Sequence, residues 1–291
     1  MKTNYSQLRE LRRCPQRWYY SHVEGLMPKV PSETLEVGSL GHKCLAAFYK
    51  GEHWEDVLQA ERDRVAQEDE TGLAEQIFEE AAATLNDIMP RYEAEAPELD
   101  KQYITKIRFV EKKWALKVPG TGTIFRGMWD LVTKDKEGWT WLWEHKFIKM
   151  LQAYETLEYD EQTHDYLWGL RQYCRRFGKP WKVAGIIFNL VRQKPVKSRP
   201  EEFILREKTY RTDRHLDEIE KGIAKIALYQ QRLQDAVNRG LNFGIYRNMF
   251  MGCFDCQHRV LCLNEYKGVD CTPLRQSKYI VDPTWNDRRY R

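Results

Sequence analysis

No stretch of this 291-residue sequence is apolar for long enough to cross a bilayer. The longest, Val183 to Val191 around Asn189, is under half of the roughly 20 residues that a spanning helix needs. The opening Met1-Lys2-Thr3-Asn4-Tyr5 has no apolar core of the kind an export signal carries. A cytoplasmic protein with no membrane partner is therefore expected. Only 17 Gly and 11 Pro are present, which excludes collagen-like and low-complexity classes, and 42% hydrophobic residues excludes a wholly disordered chain. Seven cysteines, an odd number without an export signal, argue against a disulfide framework. No internal repeat is found.

Net charge is small, +4, but the charge is partitioned. Between Glu52 and Glu98 lie 15 acidic and 3 basic residues, leaving 44 basic against 28 acidic in the rest of the chain. A segregated positive surface suits a phosphodiester backbone, whose affinity for protein comes largely from Lys and Arg at phosphates. Single clusters such as Arg171/Arg175/Arg176 are also what a solvated face looks like, so charge alone only suggests nucleic acid.

Along the chain, Ser6 is expected to cap a short helix carrying Leu8 and Leu11, ending near Cys14-Pro15, with Trp18, Tyr19 and Tyr20 as core. Gly38 and Gly41 precede a helix over His42 to Tyr49. The acidic block predicts two helices, Glu55 to Glu70 and Leu73 to Met89, stopped by Pro90, and reads as an inserted cap. Period-2 alternation then predicts strands over Tyr103 to Val118, Thr123 to Thr133 and Trp139 to Ile148. A helix follows from Thr156 to Phe177, then strands over Val183 to Val191 and Phe203 to Tyr210, then a long helix to about Arg239. This order indicates an α/β core with helices on the faces of a sheet. The expected organisation is an N-terminal segment 1–34 and a core of 35–51 with 99–211. An acidic helical insert 52–98, a long helix 212–240, a cysteine-bearing segment 241–271 and a basic tail 272–291 complete it.

Three side chains suggest chemistry. Asp130 lies near the end of one strand and Glu144-His145-Lys146 on the next. Alternation puts Glu144 and Lys146 on one face and His145 on the other, with Trp141, Trp143 and Phe147. If the strands pair, two carboxylates and an ammonium share one patch. Carboxylates that close repel unless a cation lies between them, and hard oxygen ligands favour Mg²⁺ or Mn²⁺. His42 offers an imidazole to the same cleft. Gln162 and Tyr166, spaced i, i+4, share one helix face that could position a phosphate or base. Tyr166 and Trp168 could also stack on unpaired bases.

His42, Asp130, Glu144-x-Lys146 and Gln162-x-x-x-Tyr166 resemble, in order and spacing, the PD-(D/E)XK nucleases. The last pair is similar to the Q-x-x-x-Y box of the RecB-like branch. The likeness covers about Leu35 to Val191 and departs only in reading Trp129-Asp130 where the superfamily's name has Pro-Asp. It implies a restriction-endonuclease-like core with a mixed central sheet flanked by helices. It further implies that His42, Asp130, Glu144 and the backbone carbonyl of His145 bind the divalent metal. Lys146 then orients or activates the attacking water, and Gln162 and Tyr166 contact substrate.

Cys253-x-x-Cys256 and Cys262 place three thiols on a short loop, a spacing suited to metal chelation. Cys14 is the leading fourth ligand, with Cys271 as substitute, while Cys44 and Cys174 belong to the interior. Zinc is one occupant such a set allows. The pattern resembles the iron–sulfur nucleases of the RecB-like branch, including AddB-type subunits and CRISPR-adaptation exonucleases. That resemblance implies a [4Fe–4S] cluster on Cys14, Cys253, Cys256 and Cys262, stapling the two chain ends. The expected activity is a Mg²⁺- or Mn²⁺-dependent deoxyribonuclease, an exonuclease favouring single strands or ends, in recombination, repair or DNA processing. The acidic insert could dock a protein partner or a second copy. Alternatives are a non-catalytic DNA-binding or assembly subunit and a structure-specific endonuclease.

Overall fold

The computed structural model describes residues 1–29, 33–68, 72–149, 154–194, 202–241, 245–249 and 253–282. The chain runs β1 (Lys2–Asn4), α1 (Tyr5–Arg13), α2 (Pro15–Trp18), a π turn (Tyr19–Val23), β2 (Leu26–Pro28), α3 (Glu33–Lys50), α4 (Trp54–Glu68) and α5 (Leu73–Asp100). Then follow β3 (Lys106–Lys117), β4 (Ile124–Lys134), β5 (Trp139–Ile148), a 3₁₀ turn (Tyr154–Tyr159) and α6 (Glu161–Arg176). The last elements are β6 (Lys182–Arg192), β7 (Ile204–Tyr210), α7 (Asp213–Asn238), α8 (Arg259–Tyr266), α9 (Thr272–Lys278) and β8 (Tyr279–Val281). Two compact units result, one of Met1–Val30, Ala115–Gly127 and Asp217–Arg291, the other of Pro31–Trp114 and Met128–Leu216.

The second unit is α/β. β4 pairs antiparallel with β5, β5 parallel with β6, and β6 antiparallel with β7, while β3 joins the outer side of β4. β5 and β6 are buried along most of their length, as expected of strands covered on both faces. Gly185 of β6 is where β7 comes closest: a Cβ there would lie 2.0 Å from the Thr209 carbonyl oxygen, so only glycine fits.

α3 lies over β5 and begins earlier than expected, so Gly38 and Gly41 are inside it rather than ahead of it. Gly41 has a steric reason: a Cβ would meet the Phe147 ring of β5 at 2.3 Å. α5 is also longer than expected, because Pro90 does not stop it. Its inner stripe, Ala82, Leu85, Met89, Tyr92 and Ala96, is at most 1% exposed on both sides of that proline and packs with Leu40, Cys44 and Leu45 of α3. Burial over two further turns outweighs the hydrogen bond that Pro90 removes, worth roughly 3 kcal/mol with the attendant strain. The acidic 52–98 segment is therefore solvated on one face only, its other face joining a hydrophobic cluster.

In the first unit, Lys2–Asn4 pairs in parallel with Ile124–Arg126. Asn4, not Ser6, caps α1, accepting 3.0 Å from Gln7 N. Leu11 and Trp18 pack with Leu233 of α7, and Tyr20 and Leu26 with Leu261 and Tyr279. The expected basic tail 272–291 is structured as α9 and β8, with β8 pairing to β2, and its residues 283–291 lie outside the described set.

Candidate metal centre

The ladder between β4 and β5 starts at Leu131↔Trp143 and runs away from the site to Lys134↔Thr140. Above it stands Asp130, 7% exposed, whose Oδ2 accepts 3.0 Å from the His145 backbone amide. Here β4 also changes face. Trp129 donates through Nε1 to the Tyr166 carbonyl of α6, whereas Leu131 packs with Tyr49 of α3. A regular strand would send residues 129 and 131 to one side. The break leaves the Asp130 carboxylate 3.2 Å from His42 Nδ1 of α3.

His42, Glu111 and Asp130 each bring a ligand atom within 4.8 Å of the others, an arrangement able to hold a metal ion. Glu111 was not marked by the sequence motifs. Glu144 belongs beside this trio: its carboxyl is 5% exposed and accepts 3.3 Å from Gln162 Nε2. Burial first, then the charge of Asp130, pushes Glu144 up to about 8. Burial opposes protonation of His42, but Asp130, Glu144 and Glu111 outweigh it and raise His42 to about 9. Asp130 itself stays low: burial alone would raise it, and the charge and hydrogen bond of His42 prevail. Glu144 and His42 thus retain protons beside the ionised Asp130, because burial and crowded negative charge disfavour a second free carboxylate there.

Lys146 ion-pairs with Asp160, which also caps α6 by accepting 3.0 Å from Thr163 N. Burial disfavours the ammonium, yet Glu144 and Asp160 hold its pKa above the ordinary lysine value. His145 points the other way, stacked on Tyr49 with centroids 5.6 Å apart and rings 3° from parallel. Asn189 donates to its Nδ1 at 2.7 Å, and burial drives the imidazole down to about 3, so it is neutral. Asn189 and Tyr92 also receive Arg206, which pairs with Asp100 at 3.0 Å, so a buried polar network underlies the strand that carries Glu144.

Gln162 faces the site, whereas Tyr166 is 4% exposed with its ring edge-on to Trp114, and Trp168 is fully buried. Neither ring is available to stack on a base, which corrects that expectation: Gly169, whose Cβ would strike Trp114 at 2.8 Å, seats this face of α6 against the sheet.

In the first unit, Cys14, Cys253, Cys256 and Cys262 line one cavity together with Arg17, Arg247 and Arg259. All are free thiols. Asn248 joins the two chain ends there, donating to Cys14 Sγ at 3.4 Å and to the Arg13 carbonyl at 2.9 Å. Arg13 pairs with Asp255 at 2.6 Å. Among the described residues no three of these sulfurs lie within 4.8 Å of one another. One tetrahedral zinc ion would need them about 3.8 Å apart. Cys271 does not line this cavity and bonds the Val269 carbonyl, while Cys44 and Cys174 are interior.

A mixed sheet flanked by helices thus carries an imidazole, carboxylates and an ammonium side by side, the donor set of a divalent-cation site. Residues 2–263 match the family model of the PD-(D/E)XK nuclease superfamily, and the chain belongs to that superfamily. Among solved structures it is similar to one titled "Crystal structure of SSO0001", at 14% identity and a TM-score of 0.37, covering 90% of this chain and 85% of that one. No curated protein matches the sequence. No helix among the described residues is long and apolar enough to cross a membrane.

Proposed function

We propose that this nuclease is a Mg²⁺- or Mn²⁺-dependent deoxyribonuclease that acts as an exonuclease on DNA ends or single strands, in recombination, repair or related processing. The observation that carries the metal-dependent reading is the convergence of His42, Asp130 and Glu111 beside Glu144 and Lys146. His42, Asp130, Glu144 and the His145 carbonyl would hold the ion. When bound, it lowers the pKa of a water and stabilises charge on the phosphate. Lys146, kept protonated by Glu144 and Asp160, donates to and orients the attacking water. Gln162, already within reach of Glu144, turns its amide to the phosphate.

The same reading assigns a [4Fe–4S] cluster to Cys14, Cys253, Cys256 and Cys262. Its support is that these four thiols share one cavity with three guanidiniums, which offset the charge of four thiolates. The cluster's part is structural, tying α1 to the C-terminal segment.

The test is a gel assay on end-labelled linear, closed circular and single-stranded DNA with Mg²⁺ or Mn²⁺. Linear substrate should be consumed from its ends, and equal cleavage of closed circles would overturn the exonuclease assignment. Glu144→Ala should abolish cleavage and retain DNA binding. Absence of cleavage in the wild type as well would instead leave a DNA-binding assembly subunit.

A further inference from the structure

β3 does not keep one register. Phe109 and Trp114 both stack on the Trp129 ring, with centroids 5.9 and 5.5 Å away and planes 20° and 23° from parallel. They are five residues apart, and an odd separation sends two side chains of a regular strand to opposite faces. One extra residue must therefore be absorbed between them. The backbone shows where: Glu111, at φ +47°, is the one non-glycine residue with positive φ among the described residues. A left-handed residue that inserts into a strand and reverses its alternation is a β-bulge, a device that re-aims a side chain.

Without the bulge, Glu111 would share the face of Phe109 and point toward Trp129 and α6. With it, its carboxylate lies within 4.8 Å of His42 and Asp130. The break at Glu111 on β3 and the break at Asp130 on β4 thus turn two carboxylates of paired strands to one imidazole. Glutamate is a poor choice for that backbone conformation, where glycine or asparagine is favoured. Its presence is understood if the side chain has work that neither of those could do.

We propose that Glu111 is a third carboxylate ligand of the divalent cation, and that the strained bulge in β3 exists to deliver it. This rests on the metal-dependent reading of the site and adds to it a ligand outside the D…E-x-K pattern.

The test is Mn²⁺ binding to the full chain without nucleic acid, read by titration calorimetry and by the EPR signal of free Mn²⁺. Glu111→Gln keeps shape and removes charge, and should weaken Mn²⁺ about tenfold or more. Glu111→Gly suits the backbone, and should raise the metal-free melting temperature while weakening Mn²⁺ to a similar degree. Wild-type Mn²⁺ affinity in both variants would overturn the proposal, as would no Mn²⁺ binding by the wild type. Mn²⁺ binding lost in the variants of a wild type that cleaves no DNA would uphold it while the nuclease reading fails.

Discussion

The carboxylate of Asp130 takes over where the β4–β5 ladder ends: its Oδ2 accepts from the His145 amide at 3.0 Å, directly above the last ladder pair, Leu131↔Trp143. A backbone donor that β4 would otherwise satisfy is satisfied by a side chain, so β4 can diverge while β5 continues alongside β6. The cleft between the strands and the placement of its first carboxylate have one cause.

The proton content of this site makes metal-free stability depend on pH. Glu144 is raised from 4.5 to about 8 and His42 from 6.5 to about 9, so between those values the native state holds more protons than the unfolded chain. Stability then falls as pH rises. In EDTA the melting temperature should decline from pH 6.5 to 9, and the stabilisation by Mn²⁺, which displaces those protons, should grow over the same window. A flat or rising metal-free profile would contradict it.

Asp160 offers a separation of roles. Asparagine is as good a helix cap as aspartate but carries no charge for Lys146. Asp160→Asn should leave thermal stability within about 1 kcal/mol, yet lower kcat and shift the alkaline limb of its pH profile downward as the lysine loses a carboxylate. Unchanged kcat at every pH would show that Asp160 serves the helix alone.

Arg206→Met should be severe, because it leaves Asp100 buried beside Tyr49 and Tyr92 with no cation. The expected loss is about 3–5 kcal/mol in urea unfolding. Adding Asp100→Leu should recover part of it, since the uncompensated charge is then gone. A double variant no better than the single one would mean that the hydrogen bonds, not the charge, dominate.

Gly185→Ala should destabilise by about 1–3 kcal/mol or more, since the added methyl meets backbone rather than a movable side chain. Chemical denaturation checks this, and Gly222→Ala, inside α7 with nothing within 4 Å, is the contrasting control, expected to stabilise by about 0.5–1 kcal/mol.

Protein purified without oxygen should contain iron and sulfide and absorb broadly near roughly 400 nm. Cys14→Ala should lose both and melt earlier, because the N-terminal helix then keeps only its Arg13–Asp255 ion pair and neighbouring polar contacts to residues 253–262. Colourless wild-type protein containing stoichiometric zinc would replace the cluster assignment and leave the nuclease assignment standing.

Much of this was legible because β4, β5 and β6 are ordinary strands over most of their length. Alternation alone put Glu144 and Lys146 on one face and His145 on the other, as found. Glu111 was hidden because its placement depends on an interruption of alternation. Its one trace in the sequence is a pair of aromatic residues, Phe109 and Trp114, at an odd spacing. Pro90 misled for a different reason. Local propensity ends a helix there, but Met89, Tyr92 and Ala96 supply buried surface that a local rule does not count. Exposure of Tyr166 and Trp168 was likewise a tertiary matter, decided by how closely Gly169 lets α6 approach Trp114.

The contact of Gly41 with the Phe147 ring fixes the separation between the helix that carries His42 and the strand that carries Glu144 and Lys146. These two positions therefore cannot drift independently in related chains. Where residue 41 gains a side chain, residue 147 must shrink to match, and a chain that enlarges both has abandoned the spacing its chemistry requires.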